Sequence, residues 1–275
     1  MSAMRGLARP VFLLVFGVAG CTVRTDDERP PVFECPRSNP DCRPSSPPPV
    51  LGGGSGDGEG GSAGEPSEEG VEIRGIVEEF SDTAFSTTRP FRERAVVEAS
   101  GVETTTVSAI FNGSNPFQLS DVRLTTPIWV SVRAESGVSR LLRTLHPVSA
   151  AAEDVALGMV PRATLSLIYS LLTLPVELDR NAGHAVLFLL GSTGAGAAGV
   201  HVTVPEAEVV AYASGGTFTD EDRGTGPTGL VVLGNVRTRA YPGSEVRVAF
   251  SEGATGHADI RVAADSVSLV EIVLR

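Results

Sequence analysis

From residue 71 onward, apolar and polar residues alternate with a period of two. Val71-Glu72-Ile73-Arg74-Gly75-Ile76-Val77 sends every second side chain to one face, the pattern of a half-buried strand. The same reading predicts strands over Arg94 to Glu98, Thr105 to Phe111, Phe117 to Val122, Ile128 to Ala134, Ser139 to Leu145 and Val155 to Val160. Turn residues separate them: Arg89-Pro90, Ser100-Gly101, Asn112-Gly113-Ser114-Asn115-Pro116 and Ser136-Gly137. A second series follows at Ala185 to Leu190, Gly199 to Val204, Val209 to Ala213, Gly229 to Leu233, Glu245 to Phe250, Ala258 to Ala263 and Ser266 to Leu274. Short strands at this spacing predict antiparallel β-sandwiches.

One segment between the two series has the helical period instead. Pro161 suits a first helical position. Leu165, Ile168, Tyr169 and Leu172 then recur on one face, and Pro175 stops the run. Leu167, Leu171 and Leu174 cover another face, so this helix is expected to be apolar nearly all round and buried between two β-domains. A helix lying on a membrane is the alternative, although the segment lacks the basic face that role usually shows.

The chain before residue 71 has neither period. Arg5 and Arg9, an apolar run from Val11 to Val18 and the small residues Ala19 and Gly20 form the layout of a secretory signal peptide. The run is about half the roughly 20 residues of a spanning helix. Val18-Ala19-Gly20-Cys21 resembles the bacterial lipobox. That resemblance implies acylation of Cys21 as the new N-terminus and, with Thr22 rather than Asp following, residence in the outer membrane. Residues 21–70 are read as a disordered tether. It holds a Cys35-Pro-Arg-Ser-Asn-Pro-Asp-Cys42 loop, the proline run around Pro47-Pro48-Pro49 and a flexible acidic stretch from Gly52 to Gly61. Fully flexible, it would span roughly 40 Å root-mean-square. In an oxidising compartment Cys35 and Cys42 are expected to form a local disulfide, with two free thiols as the alternative.

The two β-series echo each other. Gly75-Ile76-Val77 answers to Ala185-Val186-Leu187-Phe188, and Arg94-Ala95-Val96-Val97 to Gly199-Val200-His201-Val202. Phe117 to Val122 answers to Leu230 to Val236, and Trp129-Val130-Ser131-Val132 to Val246 to Phe250. Each copy ends in an apolar strand, Val155 to Val160 and Val267 to Leu274. With Ala198-Gly199-Val200-His201-Val202 and Thr228-Gly229-Leu230-Val231-Val232, the pattern resembles the carboxypeptidase regulatory-like (transthyretin-like) domains. The first copy departs at Arg92-Glu93-Arg94 and at Asn115-Pro116. The resemblance implies sandwiches of about 80 to 100 residues acting as spacers or as binding and adhesion modules.

Composition narrows the chemistry. Net charge is −11, which disfavours nucleic acid and other polyanions as partners. All 22 basic residues are Arg, which excludes lysine Schiff bases, Ser-x-x-Lys acylases and phosphate-loop lysines. Gly194-Ala195-Gly196-Ala197-Ala198-Gly199 spells a dinucleotide fingerprint, but a strand rather than a helix is expected after it. Gly60-Gly61-Ser62-Ala63-Gly64 spells a serine-hydrolase elbow inside the tether, where no strained turn can hold it. His146, His184, His201 and His257 lack metal-ligand spacing. Asp220, Glu221 and Asp222 are either a solvated acidic turn or oxygen ligands for Ca²⁺.

The expected organisation is mainly β. A signal peptide (1–20) and a tether (21–70) precede a β-sandwich (71–160), a connecting buried helix (161–180) and a second β-sandwich (181–275). The site residues are Cys21 for lipidation and Cys35 with Cys42 for the disulfide, with no catalytic, cofactor or metal residues. The expected role is a non-catalytic envelope lipoprotein held at the membrane by its anchor, with a protein or glycan partner. Carbohydrate binding or adhesion is the alternative, and an enzyme comes last. Sugar platforms need exposed aromatic faces; Trp129, Tyr169, Tyr212 and Tyr241 are the only Trp and Tyr residues, and Trp129 reads as core.

Overall fold

A computed structural model describes residues 71–100, 107–122, 128–135, 140–148, 154–221 and 223–274. Cys21, Cys35, Cys42, the signal and the tether lie outside them. The first β-series comprises β1 (Val71–Phe80), β2 (Thr88–Pro90), β3 (Ala95–Ser100), β4 (Val107–Phe111), β5 (Phe117–Val122), β6 (Ile128–Ala134), β7 (Arg143–Val148) and β8 (Val155–Met159). Helix α1 (Arg162–Ser170) follows. The second series is β9 (Gly183–Leu190), β10 (His201–Thr203), β11 (Val209–Ser214), β12 (Thr217–Thr219), β13 (Leu230–Val236), β14 (Ser244–Ser251), β15 (Gly256–Val262) and β16 (Ser266–Val273). The fold is mainly β with mostly antiparallel pairing, in keeping with β-sandwiches.

The internal repeat is visible in the pairing. In the first series β1 pairs antiparallel with β5 and parallel with β8. In the second, β9 pairs antiparallel with β13 and parallel with β16. Likewise β3 pairs with β6 and β6 with β7, as β10 pairs with β14 and β14 with β15. Each series thus supplies two sheets with a core between them. Ile73, Val77, Phe117 and Leu157 of one sheet meet Val97, Val130 and Val132 of the other in the first core. Leu187, Val231, Val270 and Ile272 meet Val202, Val248 and Ile260 in the second.

The two series also share a sheet. Strand β7 pairs in parallel with β16 through Arg143↔Ser266, Thr144↔Val267 and Leu145↔Ser268. One nine-stranded sheet results, in the order β12-β11-β13-β9-β16-β7-β6-β3-β4. The boundary drawn at 161–180 is therefore bridged by backbone hydrogen bonds. Trp129 and Leu145 of the first series belong to the second core.

Four left-handed residues mark equivalent points of the repeat. Asp121 (φ 58°) and Asn235 (φ 48°) each precede the last valine of β5 and β13, and Asp154 (φ 61°) and Asp265 (φ 53°) each precede the last strand of a series. Asp and Asn tolerate this conformation better than other side chains.

Helix α1 departs from expectation in two ways. Pro161 is the N-cap, in extended conformation, one residue ahead of the helix. Leu165, Ile168, Tyr169 and Leu172 are buried against Val186, Val209, Val232, Val267 and Leu269 of the nine-stranded sheet. The other leucine row is not buried: Leu167, Leu171 and Leu174 are 50%, 56% and 74% exposed. One sheet covers one side of this helix, and no described element covers the other. A further correction concerns Arg89-Pro90, expected as a turn. It lies in β2, a three-residue edge strand, a place where proline costs no ladder bond. There Arg89 pairs at 2.7 Å with Glu79, which is 5% exposed.

Candidate functional site

The site is built on the bulge of β13. The β13–β9 register slips between Leu233 and Val236, which lets Asn235 turn into the left-handed region. Gly234 precedes it because Tyr169 of α1 lies against the strand: a Cβ there would sit 2.7 Å from the phenol oxygen. The Asn235 side chain is used fully. Its Oδ1 accepts from the Asp179 N–H at 3.0 Å, and its Nδ2 donates to the Glu177 carbonyl and to Glu208 Oε2, both at 2.8 Å. Its main-chain N–H points to Nδ1 of His184 at 3.3 Å, and the Tyr169 hydroxyl meets the same nitrogen at 2.8 Å.

Two donors aimed at one nitrogen require it to be unprotonated, which assigns the neutral ring with its hydrogen on Nε2. Burial, reinforced by the nearby Arg162 cation, lowers the His184 pKa to about 4. Burial and the charge of Glu208 push the Tyr169 phenol above its usual range. His184 and Tyr169 are both 0% exposed, so this network holds the helix and the bulge in place and cannot meet a substrate directly. In front of it opens a cleft of about 460 Å³ lined by Asp179, Asn181, Glu206, Glu208, Asn235 and Arg237 among others. Carboxylates dominate its charge, with Arg237 as the cation.

A second polar cluster lies where the two series meet. The Arg143 guanidinium stands 4.1 Å from the centre of the Tyr241 ring, and Arg261 stands 5.9 Å from that of Trp129. Arg261 also donates to Ser100 Oγ at 3.3 Å, and the Tyr241 hydroxyl lies 3.4 Å from Ser131 Oγ and 3.5 Å from Ser100 Oγ. Such contacts fasten one sandwich to the next.

No family model matches the chain, and no curated protein matches it. Among solved structures the chain is similar to a streptococcal ancillary pilin, at 11% identity and a TM-score of 0.23, covering 74% of this chain and 68% of that one. It is also similar to the Bacillus anthracis TIE protein, at 7% identity and a TM-score of 0.22, covering 74% of this chain and 33% of that one.

The residues singled out from the sequence end up dispersed. His146 is half-buried in β7 of the first sandwich, within 3.1 Å of the Gly158 carbonyl, and desolvation lowers its pKa to about 4 against that bond. His201 lies 3.2 Å from Glu252 near the loops of the second sandwich, and His257 is half-buried in β15. After Gly194–Gly199 comes strand β10, with no helix, and Gly196 is pressed against the Pro227 carbonyl. Asp220 accepts the Thr173 N–H at 3.1 Å, while Glu221 pairs with Arg223 at 2.5 Å. Asp222 lies outside the described residues, and among those described no group of three or more His, Cys, Asp or Glu could hold a metal ion. Trp129, Tyr169 and Tyr212 are buried, whereas Tyr241 is half-buried with Arg143 over its ring. Sequence reasoning missed the cleft, because Asp179, Glu206 and Asn235 belong to three separated segments. The one usable signal was Gly234-Asn235 inside a strand, a bulge signature.

Proposed function

We propose that this chain is a non-catalytic module of the bacterial cell envelope, acylated at Cys21 and displayed on a Pro- and Gly-rich tether, with its β-sandwiches serving as a binding or structural surface. The observation that carries the reading is how closely the first described strand follows the Pro- and Gly-rich sequence. Strand β1 starts at Val71, directly after the low-complexity sequence, and it pairs with three strands of its sheet. A lipobox followed by a spacer and then a body that opens on a central strand is the layout of a displayed module. The surface on offer includes the cleft around Asn235, whose carboxylates and Arg237 suit hydrogen bonding to a polar protein or glycan partner.

Metabolic labelling with palmitate followed by envelope fractionation tests the anchor. The natural chain is expected to take up label and fractionate with outer membranes. The Cys21→Ala variant is expected to lose both properties. Equal behaviour of the two chains would overturn the reading, as would turnover of ester, glycoside or peptide substrates by the purified protein.

A further inference from the structure

The leucine row that α1 leaves uncovered has a definable occupant. Leu167 lies on α1, Leu171 is its C-cap and Leu174 lies in the bend just beyond it, so all three stand at the C-terminal end of the helix, and they are 50%, 56% and 74% exposed. No charged residue occurs between Ala163 and Val176, in a protein whose net charge is −11. This end is thus an uncharged apolar patch on an acidic body. We infer that it rests on the surface of the lipid bilayer to which the chain is tethered, so that the module is held in a fixed orientation rather than hanging free.

Area and attachment together select lipid over a second copy. Three partly exposed leucines present roughly 300 Å² of surface, whereas a stable dimer needs about 800 Å² per partner. A patch that small holds only weakly by itself. Beside a bilayer the tether supplies a high effective concentration, and a weak contact then becomes populated. The patch has no Lys or Arg face of the kind that draws amphipathic helices to anionic lipid, and Asp220 stands at its rim on the Thr173 N–H. Contact therefore comes from apolar burial and is indifferent or slightly averse to anionic headgroups. The geometry rests on the acyl-tethered reading, and the experiment separates the two.

The mature chain carrying Leu171→Trp is reconstituted on phosphatidylcholine vesicles, with and without phosphatidylglycerol, some of them brominated in the acyl chains. The natural Trp129 is 2% exposed and supplies a constant background. Expected is a blue-shifted emission of the introduced indole, quenched by brominated lipid and not strengthened by phosphatidylglycerol. Adding Leu167→Ser and Leu174→Ser is expected to abolish the quenching while the protein still floats with the vesicles. Flotation with an unquenched indole overturns the inference and leaves the anchor intact. A chain without acyl mass that fails to float, yet is quenched at high lipid concentration, overturns the anchor and supports the patch. A blue shift that needs no lipid and tracks a dimeric mass assigns the patch to a second copy and overturns the inference.

Discussion

The Tyr169 hydroxyl reaches from α1 to Nδ1 of His184 at 2.8 Å, with both residues fully buried. This contact ties the helix to β9 and, through the Asn235 N–H on the same nitrogen, to the bulge of β13. Tyr169→Phe leaves the imidazole with the longer of its two bonds. It is expected to cost about 1–2 kcal/mol, read as a lower urea midpoint with an unchanged m-value.

Gly234→Ala attacks the same contact by volume. Its Cβ would lie 2.7 Å from both Cζ and Oη of Tyr169, so the helix must shift. A loss of about 1–3 kcal/mol is expected from overpacking. The two changes should not add, since each disturbs one shared contact. A double variant as destabilised as the sum of the singles would contradict this.

Acid should destabilise the protein before its carboxylates are protonated. His146 and His184 are both lowered from 6.5 to about 4, chiefly by burial. Between these values the unfolded chain binds protons that the folded chain does not, so unfolding free energy rises with pH there. The stability is fully present above about pH 6.5 and is lost as pH falls toward 4, by about 3 kcal/mol per histidine. Glu271, raised by burial, acts in the opposite sense and offsets part of the loss. Urea midpoints measured from pH 7 to pH 4 should fall steadily. In the double variant Tyr169→Phe, His184→Leu the slope should drop by about half.

Much of this architecture was legible and some of it was not. Strands β5 and β6 begin and end where the patterns from Phe117 and Ile128 put them. One face of β5 meets a core and polar residues fill the other, while β6 is covered on both faces, with Val130 and Val132 in the first core and Trp129 in the second. The repeat was readable from matched apolar segments, and the pairing of the matched strands recurs, whereas β4 pairs with β3 and β11 with β13. Strands β2 and β12 escaped because three-residue edges carry no period; for β12 the Gly215-Gly216 turn, with φ of 58° and 88°, was the available hairpin signal. Alternation says which face is buried but not which strand lies alongside, so the β7–β16 junction was invisible. The helix failed for a related reason: an apolar stripe shows what could be covered, not what is. The cleft depends on three segments meeting, which no local pattern records.

That junction predicts joint melting. Trp129 sits on β6, yet it packs with the second core, and β7 is hydrogen-bonded to β16. The emission of this sole tryptophan should therefore change at the same midpoint as the far-ultraviolet circular dichroism of the whole chain. Two separated transitions would count against a coupled unit. Trp129→Ala is expected to cost about 3–5 kcal/mol and to lower the single transition without splitting it.

The repeated left-handed positions give a paired test of backbone against side chain. Asp121 and Asn235 hold equivalent places with φ of 58° and 48°, and glycine relieves the steric cost at either one. Asp121 is exposed, so Asp121→Gly is expected to change stability by less than about 1 kcal/mol. Asn235 is 6% exposed, and its side chain bonds the Asp179 N–H, the Glu177 carbonyl and Glu208. Asn235→Gly keeps the turn but strips those three part-buried bonds, at a cost of about 1–3 kcal/mol. Chemical denaturation of the two variants separates the contributions. Equal effects would mean that conformation alone fixes the bulge; the expected inequality means that the amide of Asn235 organises the floor of the cleft.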